Sequence, residues 1–327
     1  VKRQLVLLLI ALLALVPVVG CPTPKETSIG MAVEFMDHAA CAYISRDRGW
    51  FEEEGLKLTA YESYATGMAL AAALARDDIQ VAYLCLVPAI NVYANAEVPV
   101  KIVAGTHKYG YALVVDPEKI KTVSDLEKPG IRLGCVREGG TVDVLMHKTI
   151  DTYGLDEEKI MANVQRMSPQ KLTLAAKMGQ LDAAFMPEQW ATMAEELGFN
   201  MLLMSQDIWP DMQGSVLVVK QELTDSRPEV VQRLVNVSQR ATDWINEHPE
   251  EAAEVVARQL QAGNDTAGLE ITPQVMLRSM QRLEYTTEIN PEIVQDTIDY
   301  IASLGYIRSR FNANEILDLS FLGDDDA

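Results

Sequence analysis

The sequence predicts an α/β fold assembled from two similar units, and three observations carry that prediction. Short, nearly continuous apolar runs alternate with longer stretches of helical character, the pattern of parallel strands covered on both faces. A helix–turn–strand phrase, MALAAALARDDIQVAYL at 68–84, returns as LTLAAKMGQLDAAFM at 172–186. A single strand, YALVVD at 111–116, returns as SVLVVK at 215–220.

The chain opens on Lys2 and Arg3, followed by an uncharged apolar run from Leu5 to Gly20. That is the layout of a secretory signal, and it falls short of the roughly 20 residues of a spanning helix. Val18-Val19-Gly20-Cys21 resembles a lipobox and gives way to a polar Pro/Thr/Lys segment. Residues 1–20 are therefore expected to be a lipoprotein signal peptide, Cys21 the lipid anchor and 21–28 a tether. An uncleaved N-terminal helix and an ordinary signal are the plainer alternatives, and each also puts the bulk of the chain outside the cytoplasm.

Strands are expected at 29–35, 56–61, 79–84, 100–104, 111–115, 131–136, 182–186, 200–204 and 215–219. Helical stretches between them cover 39–53, 66–76, 87–96, 141–153, 169–178 and 188–197. Strand alternating with helix points to largely parallel sheets. Beyond 220 the pattern is helical only, at 228–247, 249–261, 273–283 and 291–304, each opening on a proline (Pro228, Pro249, Pro273, Pro291), which suits a first helical turn. The closing GDDDA reads as a frayed tail. The repeated strand implies that the chain passes between units near 112 and returns near 216. One lobe would then hold 29–112 and 216–327, the other 113–215.

Removing a signal of this size leaves roughly 300 residues, natural for two domains of about 150. The net charge of −19 repels nucleic acid and anionic lipid surfaces, so a nucleic-acid partner is not expected. Apart from Cys21, the cysteines are Cys41, Cys85 and Cys135, with no CxxC pair and no close Cys/His cluster. A structural zinc site is not expected. One disulfide with a spare thiol and three buried thiols both remain open.

Ligands of open α/β sheets bind beyond the carboxyl ends of strands, so the loops there supply the candidates. EFMDHAA (34–40) offers Phe35, Asp37 and His38, and SYATGMA (63–69) offers Tyr64 and Thr66. LCLVPA (84–89) contributes Cys85, and GTHKYG (105–110) contributes His107. VREGGTVD (136–143) opens a helix with Gly139, Gly140 and Thr141, placing free N–H groups and a positive dipole end toward an anion. MPEQW (186–190) adds Glu188 and Trp190.

The phrase GWFEEEGL at 49–56 resembles one in the solute-binding family for nitrate, sulfonate, taurine and thiamine precursors. VPVKIVAG (98–105), IKTVSDLEKPGIRLGCVREGG (120–140), GQLDAAFMPEQW (179–190) and the helical 227–257 resemble further phrases of that family, in the same order. The resemblance implies a two-lobed periplasmic-binding-protein fold of type 2, with two crossover strands as a hinge. It implies a monomeric lipoprotein, without cofactor or resident metal, that captures a small molecule between its lobes. Its partners would be the permease and ATPase of an ABC importer, with the membrane reached through the lipid. A sulfonate- or taurine-like anion or zwitterion is favoured as ligand, because acidic groups in 34–43 suit a simple oxyanion poorly. A thiamine-precursor pyrimidine or other planar heterocycle is the alternative. An enzyme of the same fold, in pyrimidine-precursor or menaquinone synthesis, is the other-class alternative. No catalytic residue is assigned, since no G-x-S-x-G, H-E-x-x-H or G-x-x-x-x-G-K-[ST] occurs.

Overall fold

Two sheets organise the chain, and their strand order is the same. The computed structural model describes residues 26–263, 266 and 268–323; the signal segment, Cys21 and the tail from 324 lie outside them. The strands are β1 (Thr27–Glu34), β2 (Leu56–Tyr64), β3 (Val81–Cys85), β4 (Val100–Tyr109), β5 (Tyr111–Val115) and β6 (Leu133–Cys135). They continue with β7 (Val164–Arg166), β8 (Ala183–Pro187), β9 (Asn200–Met204), β10 (Gln213–Lys220) and β11 (Leu283–Glu284). The first sheet runs β11-β4-β10-β3-β1-β2 and the second β7-β6-β8-β5-β9.

In the first sheet β1 pairs in parallel with β2 and β3, and β10 lies antiparallel between β3 and β4. In the second, β6 pairs in parallel with β7 and β8, and β5 lies antiparallel between β8 and β9. Both internal repeats thereby gain a topological meaning: β3 and β8 hold equivalent places, and so do β10 and β5. The sheets are mixed, not largely parallel, because β5 and β10 each enter from the other sheet and run against their neighbours.

Helices of seven or more residues are α1 (Ala40–Asp47), α2 (Gly67–Ala73), α3 (Leu86–Ala94), α4 (Thr141–Tyr153) and α5 (Pro169–Lys177). After them come α6 (Glu188–Glu195), α7 (Pro228–Glu247), α8 (Pro249–Gln261), α9 (Pro273–Met280) and α10 (Pro291–Ser303). The α/β class holds, with three local corrections. The stretch 39–53 is not one helix: Gly49, at φ 71°, breaks it before a short turn at Trp50–Glu53. The C-terminal region is not purely helical, since Leu283–Glu284 adds to the edge of β4 at Tyr109 and Lys108. β7 reads VQR and carries no apolar run, yet it pairs with β6 over Leu133–Cys135.

The chain changes sheet at Gly110. Tyr109 and Gly110 both take positive φ, 64° and 93°, which turns the backbone between two strands that would otherwise be continuous. On the return, β10 begins at Gln213.

α7 packs on β4 of the first sheet and on α1. Val230, Val231, Leu234, Val235, Ala241 and Ile245 are buried along one face, the 3.6-residue stripe of an amphipathic helix. Each large apolar side chain so buried stabilises by about 1.5–3 kcal/mol. On that face Ser238 meets the Tyr83 hydroxyl of β3 at 2.7 Å, and Thr242 meets Cys41 of α1 at 3.4 Å. Cys41, Cys85 and Cys135 are all buried free thiols, which decides between the two cysteine states in favour of three thiols. Among the described residues no helix is long and apolar enough to cross a membrane.

Candidate functional site

Strand ends of both sheets meet in one cleft. β1 ends at Glu34, β3 at Cys85, β6 at Cys135 and β8 at Pro187, and two adjoining chambers share Thr66, Met68 and Arg137 as lining. The inner chamber, about 40 Å³, is lined by Glu34, Cys85, Tyr111, Gly140, Thr141 and Pro187 among others. The outer one, about 770 Å³, opens to solvent and is lined by Thr66, Asn91, Arg137, Gly139, Arg166, Ser168 and Tyr306 among others.

Local sequence places several of these. Thr66 is the N-cap of α2, its hydroxyl accepting the Ala69 N–H at 3.3 Å, as a threonine before a helix does. Cys85 closes β3 and stands at the N-cap of α3. Gly139 and Gly140 lead into α4, but their N–H groups are taken within the protein. Asp143 Oδ2 accepts Gly139 N at 2.9 Å, and the Arg137 carbonyl accepts Gly140 N at 3.2 Å. Asp143 also pairs with Arg166 at 2.5 Å and accepts the Tyr306 hydroxyl at 2.5 Å. What the loop turns toward the cleft is therefore Thr141, whose buried hydroxyl has no hydrogen-bond partner among the described residues, and Arg137. The Arg137 side chain is exposed and makes no ion pair among the described residues.

The floor is buried and acidic. The Cys85 thiol donates to Glu34 Oε2 at 2.9 Å, while Glu34 Oε1 is buried without a hydrogen-bond partner among the described residues. Burial pushes the Glu34 carboxyl up to about 7, against the lowering effect of the Cys85 hydrogen bonds. The same burial, then the Glu34 charge, hold the Cys85 thiol well above its ordinary value. Behind Cys85 lies His38, with Nδ1 3.8 Å from Sγ and Nε2 2.8 Å from the Gly110 carbonyl. Burial, and after it the neighbouring His107, keep the imidazole well below its usual pKa; the two rings are 4.4 Å apart. His107 falls to about 4 by burial.

The remaining sequence candidates stand outside both chambers. Asp37 accepts the Ser279 hydroxyl and donates its backbone N–H to Gln189 Oε1 at 3.0 Å, so it ties β1 to α9 and α6. Its carboxyl rises to about 7, chiefly by burial, with Ser279 opposing and Glu188 adding. Glu188 is buried and held by Arg282 Nη1 at 2.9 Å and Thr192 at 2.8 Å. Phe35 and Trp190 pack on one another, rings 6.5 Å apart, both buried. The Tyr64 hydroxyl is engaged with Glu62. Of the twelve candidates, Thr66, Cys85, Gly139, Gly140 and Thr141 line the cleft, and His38 backs it.

Sequence reasoning weighed Glu34 only as an acid–base partner for His38, and passed over Asn91, Arg137, Arg166, Ser168 and Tyr306. Arg137 lies inside a loop already singled out, and the strand-end rule alone would have reached it. Tyr306 follows α10 and meets Asp143 across 163 residues; no local pattern announces it.

Paired mixed sheets with a cleft at their strand ends define a two-lobed periplasmic binding protein fold of type 2. The profile of the NMT1-like family matches residues 22–261, and the chain belongs to that family. A candidate binding protein of Brucella abortus (strain 2308) is 25% identical over 276 residues, 82% of each chain. The alkanesulfonate-binding protein SsuA of Xanthomonas axonopodis pv. citri, solved with MOPS, shares the fold with a TM-score of 0.76 at 14% identity, over 90% of this chain and 99% of its own. The periplasmic nitrate-binding protein NrtA of Synechocystis PCC 6803 matches with a TM-score of 0.76 at 14% identity, over 92% and 88%. The resemblance to nitrate- and sulfonate-type solute-binding proteins thus holds at the level of fold.

Proposed function

We propose that this chain is the extracytoplasmic solute-binding component of an ABC importer, lipid-anchored at Cys21, that carries a small organic acid or zwitterion of the sulfonate and taurine type. Arg137 carries this reading: a guanidinium with no ion pair among the described residues lines both chambers of a cleft between two sheets, in a protein whose net charge is −19. A guanidinium presents a planar fork of donors to an acid group. Thr141 and Ser168 add hydroxyls on the same cleft, and Glu138 at the outer chamber suits an ammonium. Phe35 and Trp190 are buried and line neither chamber, so they give a planar heterocycle no platform there.

Binding suits the floor better than catalysis does. A nucleophilic cysteine needs a lowered pKa, whereas burial and Glu34 hold the Cys85 thiol protonated. Lobe closure on the solute would then present the importer with a surface that reports occupancy.

A thermal-shift screen tests the reading with taurine, alkyl sulfonates, nitrate, thiamine, its pyrimidine precursor and aromatic carboxylates. A ligand at a hundredfold its Kd stabilises by about 2.7 kcal/mol through mass action. A rise with taurine or an alkyl sulfonate is expected; a rise only with the heterocycles, or none, overturns the ligand class.

A further inference from the structure

Three donors of different chemistry meet at the floor of the cleft, although 47 and 51 residues separate Cys85 from His38 and Glu34. Glu34, His38 and Cys85 each bring one ligand atom within 4.8 Å of the other two, and all three are buried. We propose that Glu34, His38 and Cys85 form a binding site for a late first-row divalent cation of the zinc type.

The imidazole is already set for that role. His38 Nε2 donates to the Gly110 carbonyl at 2.8 Å, which leaves the Nδ1 lone pair facing Cys85 Sγ at 3.8 Å. A metal-binding histidine is oriented in just this way, its other ring nitrogen donating to a carbonyl or carboxylate. Donors at zinc-ligand bond lengths around a tetrahedral ion lie about 3.5 Å from one another, so the Sγ–Nδ1 edge needs only a few tenths of an ångström. The Sγ–Oε2 contact of 2.9 Å is a hydrogen bond through the thiol proton. On binding, that proton leaves to solvent, the thiolate and carboxylate turn to the cation, and their separation opens.

Charge supports the same reading. A divalent ion with one thiolate, one carboxylate and a neutral imidazole is neutral overall, which suits a buried site. Among the described residues Glu34 Oε1 is a buried oxygen with no hydrogen-bond partner. Thiolate and imidazole favour zinc-like ions over magnesium or calcium, which take oxygen ligands. Glu34 and Cys85 also line the inner chamber with Thr141, and its volume of about 40 Å³ has room for a water as a fourth ligand.

The assignment rests on these three side chains and not on the solute carried, so its failure would leave the solute reading standing. Chelator-stripped protein is titrated with Co²⁺ alone and then with Zn²⁺. One equivalent of Co²⁺ is expected, with a thiolate-to-cobalt charge-transfer band in the near ultraviolet that Zn²⁺ abolishes by displacement. Cys85→Ser should remove the band, and Cys85→Ser, His38→Gln and Glu34→Gln should each weaken Zn²⁺ binding by at least the roughly 10–100-fold that loss of a mere outer partner of a metal ligand costs. Should Cys85→Ser fail to fold, the C21S/C41S/C135S variant, which removes the proposed lipid anchor along with the other thiols, keeps Cys85 as the remaining cysteine of the four and must retain the band. Absence of the band in the unaltered protein, its survival in Cys85→Ser, or its loss in the triple variant overturns the proposal.

Discussion

The His38 imidazole donates to the Gly110 carbonyl at 2.8 Å, across 72 residues of chain, at the point where the backbone leaves one sheet for the other. The same carbonyl accepts the Glu188 N–H at 2.9 Å, so one oxygen joins the exit of β1, the crossover and the start of α6. Gly110 has φ 93°, and a Cβ there would stand 2.7 Å from His38 Nε2. Gly110→Ala should therefore lose about 1–3 kcal/mol, from left-handed strain and from the displaced ring. Urea unfolding measures it, and an unchanged midpoint would show that the crossover tolerates a side chain.

Arg282 makes the second tie between sheets. Its guanidinium pairs with Glu188 at 2.9 Å and Glu195 at 2.8 Å, and the Glu188 side chain is 1% exposed. Burial raises the Glu188 pKa, and the Arg282 hydrogen bond is the largest influence pulling it back. Arg282→Met leaves a buried carboxylate unpaired, which costs about 3–5 kcal/mol. With its folded pKa above the unfolded value, Glu188 favours the fold when protonated, so the loss should be largest near neutral pH and shrink toward pH 5. Equal losses at both pH values, by denaturant titration, would refute this account.

The fold was legible because its signals are local and repeated: strand runs, proline helix starts, and two phrases that recur at equivalent topological places. The parallel character was overestimated, since the direction of β5 and β10 depends on which sheet the chain arrives from, and no window of sequence carries that. At the site, the strand-end rule reached Thr66, Cys85 and Thr141. It also drew in Phe35, Trp190, Asp37 and Glu188, which sit at strand ends but are consumed by contacts between α6, α9 and the β1 exit. The neutralisation of Arg166 by Asp143, and the freedom of Arg137 one strand away, follow from three-dimensional pairing alone.

Asp182, just before β8, gives the second sheet its acid-sensitive point. Arg132 reaches it through Nε at 2.9 Å, Nη2 at 2.7 Å and its backbone N–H at 2.9 Å. Those bonds, with Lys119 beside them, hold the carboxyl well below the usual carboxylate range. A depressed pKa contributes stability that is present above the unfolded value of about 3.9 and lost as pH falls toward the folded one. Asp182→Asn should lose about 2–3 kcal/mol at neutral pH and flatten the decline below pH 4. Circular dichroism through an acid titration checks it, and a decline as steep as that of the unaltered protein would place acid sensitivity elsewhere.

Arg137 separates ligand capture from folding. Its side chain is exposed, and removing it breaks no ion pair among the described residues, so Arg137→Ala should leave the ligand-free melting temperature within the small range usual for surface substitutions. A hydrogen bond to a charged group is worth about 1.5–3 kcal/mol, and each 1.4 kcal/mol is tenfold in affinity. The variant should therefore bind a sulfonate or taurine-like solute about 10–100-fold more weakly by calorimetry. Ligand-induced stabilisation should fall in parallel. Arg166, already neutralised by Asp143 at 2.5 Å, predicts the opposite division: Arg166→Ala strips the partner from a buried carboxylate and should lower the melting temperature. If Arg137→Ala bound the solute as tightly as the unaltered protein, the acid group would have to be held elsewhere in the cleft.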